Sequence, residues 1–361
     1  MNSLLVPSSY GEALDRLTIL EIKLESIQDT RRIDVQREYA SLYTLVKDAI
    51  DKDKFHYEKL LEANRTMWTI QDELHSKAGE PNREFVLMKQ LAHENQRRFR
   101  LKRTINENVG SLYKEQKGYK GKRAFVCGHQ GMGDQFFISG AVRYLASVFD
   151  EVCVVVKKQY ETNLRDLYSN EPSVTFFLIE TDSDVSPRFG AAREAYERAT
   201  HGYDTVYMLG YHGSGNVEDF PHCFYRDLGM DTAYMKTWFN VPKKNVAEVE
   251  LLIDTYTRVR FVHPKASDAV APIRVNLLDS LVINPSENMY AESHPWHAVA
   301  QAWVGRPILD YAYLMMYVQE CLLVDSSFFC MALLLGLTPE VWVRNGRSYK
   351  NINANLGERL F

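Results

Sequence analysis

Residues 124–145, AFVCGHQGMGDQFFISGAVRYL, decide how this chain is read. Ala124 to Cys127 form a short apolar, β-prone run that enters a loop holding Gly128, Gly131 and Gly133. Asp134 and a helical pattern follow. A strand, a glycine loop and a helix start leave bare backbone N–H groups where an anionic ligand can sit. Asp134, at that helix start, is placed to act as an acid or base beside the ligand. The glycine order is G-x-x-G-x-G-D, which is not the G-x-G-x-x-G of a dinucleotide site. No Lys-Ser or Lys-Thr follows, so the Walker pattern fails as well. Glycines in a tight turn also serve close packing, and the pattern alone does not separate the two uses.

Outward from this unit, further strands are expected at Val152–Val156, Val174–Ile179 and Thr205–Leu209, with helical segments only between Ala124–Cys127, Val152–Val156 and Val174–Ile179. Alternation of this kind predicts a parallel, doubly wound sheet. After the Pro-containing stretch Phe239-Asn240-Val241-Pro242 a second α/β segment begins. It holds a helix at 245–256, strands Val259–His263 and Leu281–Ile283, a helix at Ile308–Gln319 and strand Cys321–Val324. A helix opened by Asp325-Ser326-Ser327 and a final strand Glu340–Val343 complete it. Two such halves imply a cleft beyond the carboxyl ends of their strands.

Upstream, residues 8 to about 115 read as helical. Leu14, Leu17, Leu20, Leu24 and Ile27 recur at spacings of three and four, and Ser8 or Ser9 with Glu12 marks an N-cap. Further helices are expected over Val35–Ile50, Phe55–His75 and Arg83–Asn108, punctuated at Lys52-Asp53-Lys54 and at Lys77 to Pro81. Short connections favour antiparallel neighbours, hence a helical hairpin or small bundle. Lys114 to Lys122 reads as a linker. The expected division is 1–115 helical accessory domain, 116–242 first Rossmann-like half, and 243–361 second Rossmann-like half.

The 361 residues are 45% apolar and 25% charged, ordinary values for a globular protein. A net charge of −4 provides no general attraction to nucleic acid. The run Arg97, Arg98, Arg100, Lys102, Arg103 is flanked by Glu94 and Glu107 and is expected to be a solvated helix face. Five cysteines, odd in number and without C-x-x-C spacing, suggest reduced thiols in a cytoplasmic protein. No signal peptide is recognised, and no apolar run reaches the ~18 residues that span a bilayer. His201, His212, His222, His294 and His297 lack a compact ligand spacing, so no metal is expected.

Three further clusters carry chemistry. Asp325, Ser326 and Ser327 follow a strand and open a helix, offering N–H groups and hydroxyls to a diphosphate, or merely capping that helix. His263 and Lys265 end another strand and suit a phosphate or leaving group. Asn284 and Ser286 end the next, with polar groups suited to a sugar or base; Gln135, beside Asp134, is a further substrate-binding candidate.

Residues 6 to about 112, from PSSYGEALDRLTILEIKLESI to RFRLKRTINE, resemble a bacterial domain family of unknown function. Its members typically begin P-x-S-x-G-E-x-x-D-(K/R)-x-(T/S)-I-L-x-I-K and lie near, or fused to, glycan-assembly proteins. Residues 123–361 resemble the heptosyltransferase-like group of GT-B glycosyltransferases, in which a strand runs into G-x-G-D and the aspartate is the proposed base. Asp134 occupies that place. VDSSFFCMALLLGL, from Val324 to Leu337, resembles the group's diphosphate-binding segment, although Phe328 and Phe329 stand where Gly and His are usual.

The resemblance implies a metal-independent, inverting glycosyltransferase with Asp134 as base, His263 or Lys265 easing the leaving group, and Asp325, Ser326 and Ser327 at the diphosphate. A nucleotide sugar would be co-substrate, with no other cofactor, and a glycan the acceptor. The helical domain would serve a homodimer or other glycan-assembly proteins. The alternative is a non-catalytic glycan- or nucleotide-binding scaffold. A nucleotide-sugar-modifying enzyme using NAD is disfavoured by the glycine order.

Overall fold

The computed structural model describes residues 6–76, 81–115, 121–181, 184–185, 190–210, 220–345 and 347–360. The expected linker core at 116–120, the break at 77–80 and His212 lie outside them. The chain divides into two compact units. One comprises 1–123 with 145–152 and 170–175; the other comprises 124–144, 153–169 and 176–361.

The first unit is built on four helices, Tyr10–Ser26 (α1), Arg31–Lys52 (α2), Lys54–Ser76 (α3) and Pro81–Val109 (α4). Ser9 caps α1, its Oγ accepting the Glu12 N–H at 3.1 Å. Leu14, Leu17, Val46, Ala49, Leu60, Ala63, Leu101 and Ile105 form the shared core. Leu14, Leu17 and Leu20 are buried as their spacing requires, while Leu24 and Ile27 are half-buried towards the end of α1.

The basic run of α4 is not a solvated face. Arg97, Arg100 and Lys102 are buried, and each cation meets a carboxylate. Arg97 pairs with Glu94 at 2.6 Å, Arg100 with Asp150 at 2.8 Å, and Lys102 with Glu12 and Glu115 at 2.5 and 2.9 Å. Arg98 grips the buried Asp15, which also accepts from Asn64 at 2.9 Å. The reason is packing. Alpha-helix α4 is enclosed by its neighbours in the bundle and by the 145–152 stretch, so only Arg103 of the run keeps about half its side chain in water.

A second polar cluster lies in the same unit. His56 sits between two buried carboxylates, Nδ1 2.7 Å from Asp53 and Nε2 3.0 Å from Glu171. Asn108 donates to Asp53 at 2.8 Å and to the Asn170 carbonyl at 2.9 Å. Burial opposes the imidazolium, but Glu171 and Asp53 outweigh it and raise the His56 pKa to about 9.

The α/β part is mixed α/β with two parallel sheets, as the alternation predicts. Strands Arg123–Cys127 (β1), Glu151–Lys157 (β2), Val174–Ile179 (β3) and Thr205–Met208 (β4) take the order β3-β2-β1-β4. Strands Val259–His263 (β5), Leu281–Ile283 (β6), Glu320–Val324 (β7), Glu340–Val343 (β8) and Glu358–Leu360 (β9) take the order β6-β5-β7-β8-β9, all pairs parallel. β9 escapes sequence reading because it is a three-residue edge strand, Glu-Arg-Leu, with no apolar run. The expected helix at Ile308–Gln319 is a 3₁₀ turn, Ile308–Tyr311, running into the helix Ala312–Tyr317.

In each sheet the strand order reverses beside the first strand, at β1/β4 and at β5/β7. Those crevices are where ligands reach the ends of parallel strands. Met132–Ala146 (α5) follows β1, and the helix Ser327–Leu334 follows β7. The latter is apolar on all sides and buried from Phe328 to Leu334. Among the described residues no helix is long and apolar enough to cross a membrane.

Candidate active site

A cavity of about 630 Å³ opens at the carboxyl ends of β1, β4, β5, β7 and β8. Two helix starts face it. In α5 the first helical hydrogen bond runs from the Gln135 N–H to the Gly131 carbonyl at 3.0 Å; in the helix Ser327–Leu334 it runs from the Cys330 N–H to the Ser326 carbonyl at 3.1 Å. The N–H groups of Met132, Gly133 and Asp134, and those of Ser327, Phe328 and Phe329, precede these bonds and project from the helix ends. Both ends carry the positive pole of their helix.

Gly133 lets the two ends meet. A Cβ there would lie 2.8 Å from Cys330 Sγ and 3.7 Å from Ser327 Cα. Gly133→Ala is therefore expected to cost about 1–3 kcal/mol in urea unfolding, with most of the loss recovered in the Gly133→Ala, Cys330→Ala double variant. Simple additivity of the two substitutions would refute the contact. Gly131 also lines the cavity, and its N–H donates to Asp134 Oδ2 at 3.1 Å. Asp134 thus reaches back over the start of its own helix while facing the cavity. Gly128 lies beneath, where a Cβ would be 3.2 Å from Ile138 Cδ1; it serves packing and does not line the cavity.

Asp325 is wholly buried. It accepts from Arg344 Nε at 2.9 and 3.1 Å and from Arg347 at 3.3 Å. Its carboxylate is therefore occupied by the two guanidinium groups and holds them at the cavity wall; Arg344 also meets Asp268. The guanidinium groups of this wall are those of Arg344 and Arg347, which sequence reasoning missed. A signal existed, because V-R-N-G-R from Val343 to Arg347 sets two cations directly after a strand. Lys265 also lines the cavity and has no ion pair among the described residues.

His263, the last residue of β5, lies with Nδ1 3.1 Å from Ser326 Oγ and its ring 4.6 Å from that of Phe328. Burial, with the Lys265 cation nearby, pushes its pKa down to about 4. It is neutral at pH 7. The cations that line the cavity are then Lys265, Arg344 and Arg347. An anion bound in the cavity should raise the His263 pKa by about one unit or more, read from its ring resonances with and without pyrophosphate. An unmoved titration would place the anion elsewhere.

Ser326 and Ser327 both line the cavity, as do Asp134, Lys265 and Asp325. Gln135, Asn284 and Ser286 do not. Gln135 is buried beneath the glycine loop, its Nε2 donating to the His129 carbonyl at 3.3 Å. Asn284 is buried and accepts the Ser286 N–H at 2.9 Å, closing a turn after β6. Their polar groups hold loops that the sequence placed at strand ends without showing which way they face. The two unusual phenylalanines also turn inward, Phe328 onto Phe261 and Tyr311 at 5.3 and 5.4 Å, and Phe329 onto Tyr349 at 4.8 Å. Among the described residues no group of three or more His, Cys, Asp or Glu is placed to hold a metal ion.

Fold and site together define an α/β protein of two parallel sheets whose strand ends converge on a cavity lined by arginine, lysine and two helix starts. Residues 4–127 match the model of a family of unknown function, DUF6165. No curated protein matches the chain. Among solved structures the chain is similar to the dodecameric iron-containing heptosyltransferase TibC in complex with ADP-D-beta-D-heptose. The identity is 13% over 69% of this chain and 65% of that one, less than two thirds of its length, with a TM-score of 0.39. It is also similar to ADP-heptose LPS heptosyltransferase II of E. coli, at 14% identity over 66% of this chain and 90% of that one, with a TM-score of 0.36. A glycosyl transferase family 9 protein from Veillonella parvula DSM 2008 is 12% identical over 66% and 87%, with a TM-score of 0.36.

Proposed function

We propose that the α/β part is a glycosyltransferase that moves a sugar from a nucleoside-diphosphate donor to a hydroxyl of a glycan acceptor without a bound metal. The observation that carries this reading is the convergence, in one cavity, of two helix starts, Lys265, Arg344 and Arg347 with Asp134. Helix N–H groups and guanidinium groups are the donors a diphosphate needs, and Arg pairs with it through two parallel hydrogen bonds.

In this reading the diphosphate lies against the helix beginning at Ser327, between Arg344, Arg347 and Lys265. The acceptor hydroxyl attacks the anomeric carbon from the side of Asp134. As the new C–O bond forms, the bond from that carbon to the diphosphate oxygen breaks and its electron pair leaves with the nucleotide. The hydroxyl proton passes to Asp134. Charge building on the leaving oxygen is met by Lys265 and the two arginines. Direct displacement by one nucleophile inverts the anomeric centre. The helical unit would act in assembly, with a second copy or with other glycan-assembly proteins.

The test is calorimetric titration with nucleoside diphosphates and their sugars, followed by nucleotide release with glycan acceptors. One nucleoside diphosphate should bind, and Arg344→Gln should weaken it by about tenfold or more. Absence of binding by any nucleotide would refute the reading. Binding without release for any acceptor would favour the scaffold alternative.

A further inference from the structure

Ser326 is the N-cap residue of its helix, in extended backbone at φ −131°, yet its side chain makes no capping hydrogen bond. An N-cap serine normally turns its Oγ onto the N–H of the second or third helical residue. Those N–H groups belong to Phe328 and Phe329. The Ser326 Oγ instead bonds His263 Nδ1 at 3.1 Å. The imidazole is itself fixed. It ends β5, whose last four residues pair in register with β7, and it is packed against the Phe328 ring at 4.6 Å. Ser9, by contrast, does cap α1 in the ordinary way.

This arrangement has a cost and a consequence. The cost is a forgone cap at a helix buried from Phe328 to Leu334. The consequence is that the first turn of the helix is left open toward the cavity lined by Lys265, Arg344 and Arg347. A serine hydroxyl released from His263 would rotate onto that turn and occupy the N–H groups that an anion would take.

We infer that His263 is a positioning residue that holds the Ser326 hydroxyl off its own helix and so keeps that helix end free for the donor diphosphate. The inference rests on the glycosyltransferase reading and deepens it. It replaces a direct role for His263 in catalysis with one exerted through Ser326.

The experiment is a double-mutant cycle read by calorimetric binding of inorganic pyrophosphate to the full chain at pH 7. His263→Leu should weaken binding about five- to tenfold, the factor that corresponds to one serine cap competing for the same N–H groups. In the Ser326→Ala background, where no hydroxyl can compete, His263→Leu should change affinity by less than about twofold. His263→Asn, which retains a hydrogen-bonding group at the Nδ1 position, should bind close to the wild type and serves if the leucine variant does not fold. A merely structural role for His263 would give the same loss in both serine backgrounds and overturn the inference. Equal binding by wild type and His263→Leu would overturn it alone, leaving the transferase reading intact. Failure of the wild type to bind pyrophosphate would overturn both.

Discussion

Asp134→Asn is expected to lower turnover of donor and acceptor by a factor of about 10²–10⁴ while leaving nucleotide affinity within about twofold. The substitution is informative because it separates the observed contact of Asp134 from the role proposed for it. Its Oδ2 accepts the Gly131 N–H at 3.1 Å, a tie that an asparagine oxygen can keep. Proton removal, by contrast, needs the carboxylate. The melting temperature should therefore stay near that of the wild type while the chemical step fails. Unchanged turnover would remove Asp134 as the base and leave it a helix-start ligand only. A fall in melting temperature matching the fall in rate would assign it to stability.

His56→Gln is expected to cost about 3–5 kcal/mol at pH 7, because it leaves the buried carboxylates of Asp53 and Glu171 facing one another without a cation. The pH dependence gives a sharper form. His56 is raised from its ordinary 6.5 to about 9, so its contribution is full below pH 6.5 and is lost as pH rises through 9. His263 runs the other way. Depressed from 6.5 to about 4, it contributes above pH 6.5, and that contribution is lost as pH falls toward 4. Each limb is worth about 3 kcal/mol, and together they place the stability maximum from these two groups near pH 6.5. Urea unfolding between pH 4.5 and 9 should show both limbs. His56→Gln should flatten the alkaline one and His263→Gln the acid one. A wild-type profile level from pH 6.5 to 9 would show that His56 is not held as the imidazolium.

Much of the fold was legible because parallel strands buried on both faces read as continuous apolar runs. Phe125, Val126 and Val152 to Val156 are all buried at the centre of the first sheet, and β3, β5, β6 and β8 match their expected bounds. What failed had identifiable causes. The basic run on α4 was misjudged because sequence neighbours such as Glu94 and Glu107 suggest solvent, whereas Asp15 and Asp150 supply partners from far along the chain. The edge strand β9 had no apolar signal. Arg344 and Arg347 were missed because a cation's relevance depends on what fixes it, and Asp325 fixes both across a strand end.

The division follows from the range of the forces involved. Periodicity, caps and glycine spacing act over a few residues, so the order of strands and helices, the glycine loop and the place of Asp134 at a helix start could be read from the chain itself. Side-chain direction and pairing act across strands and between helices. Only the tertiary structure decided that Asp325 faces arginines, that Gln135 and Asn284 turn away from the cavity, and that Phe328 and Phe329 fill the core. The same is true of His263. The sequence shows a histidine and a serine 63 positions apart, and only the register of β5 against β7 brings them within a hydrogen bond.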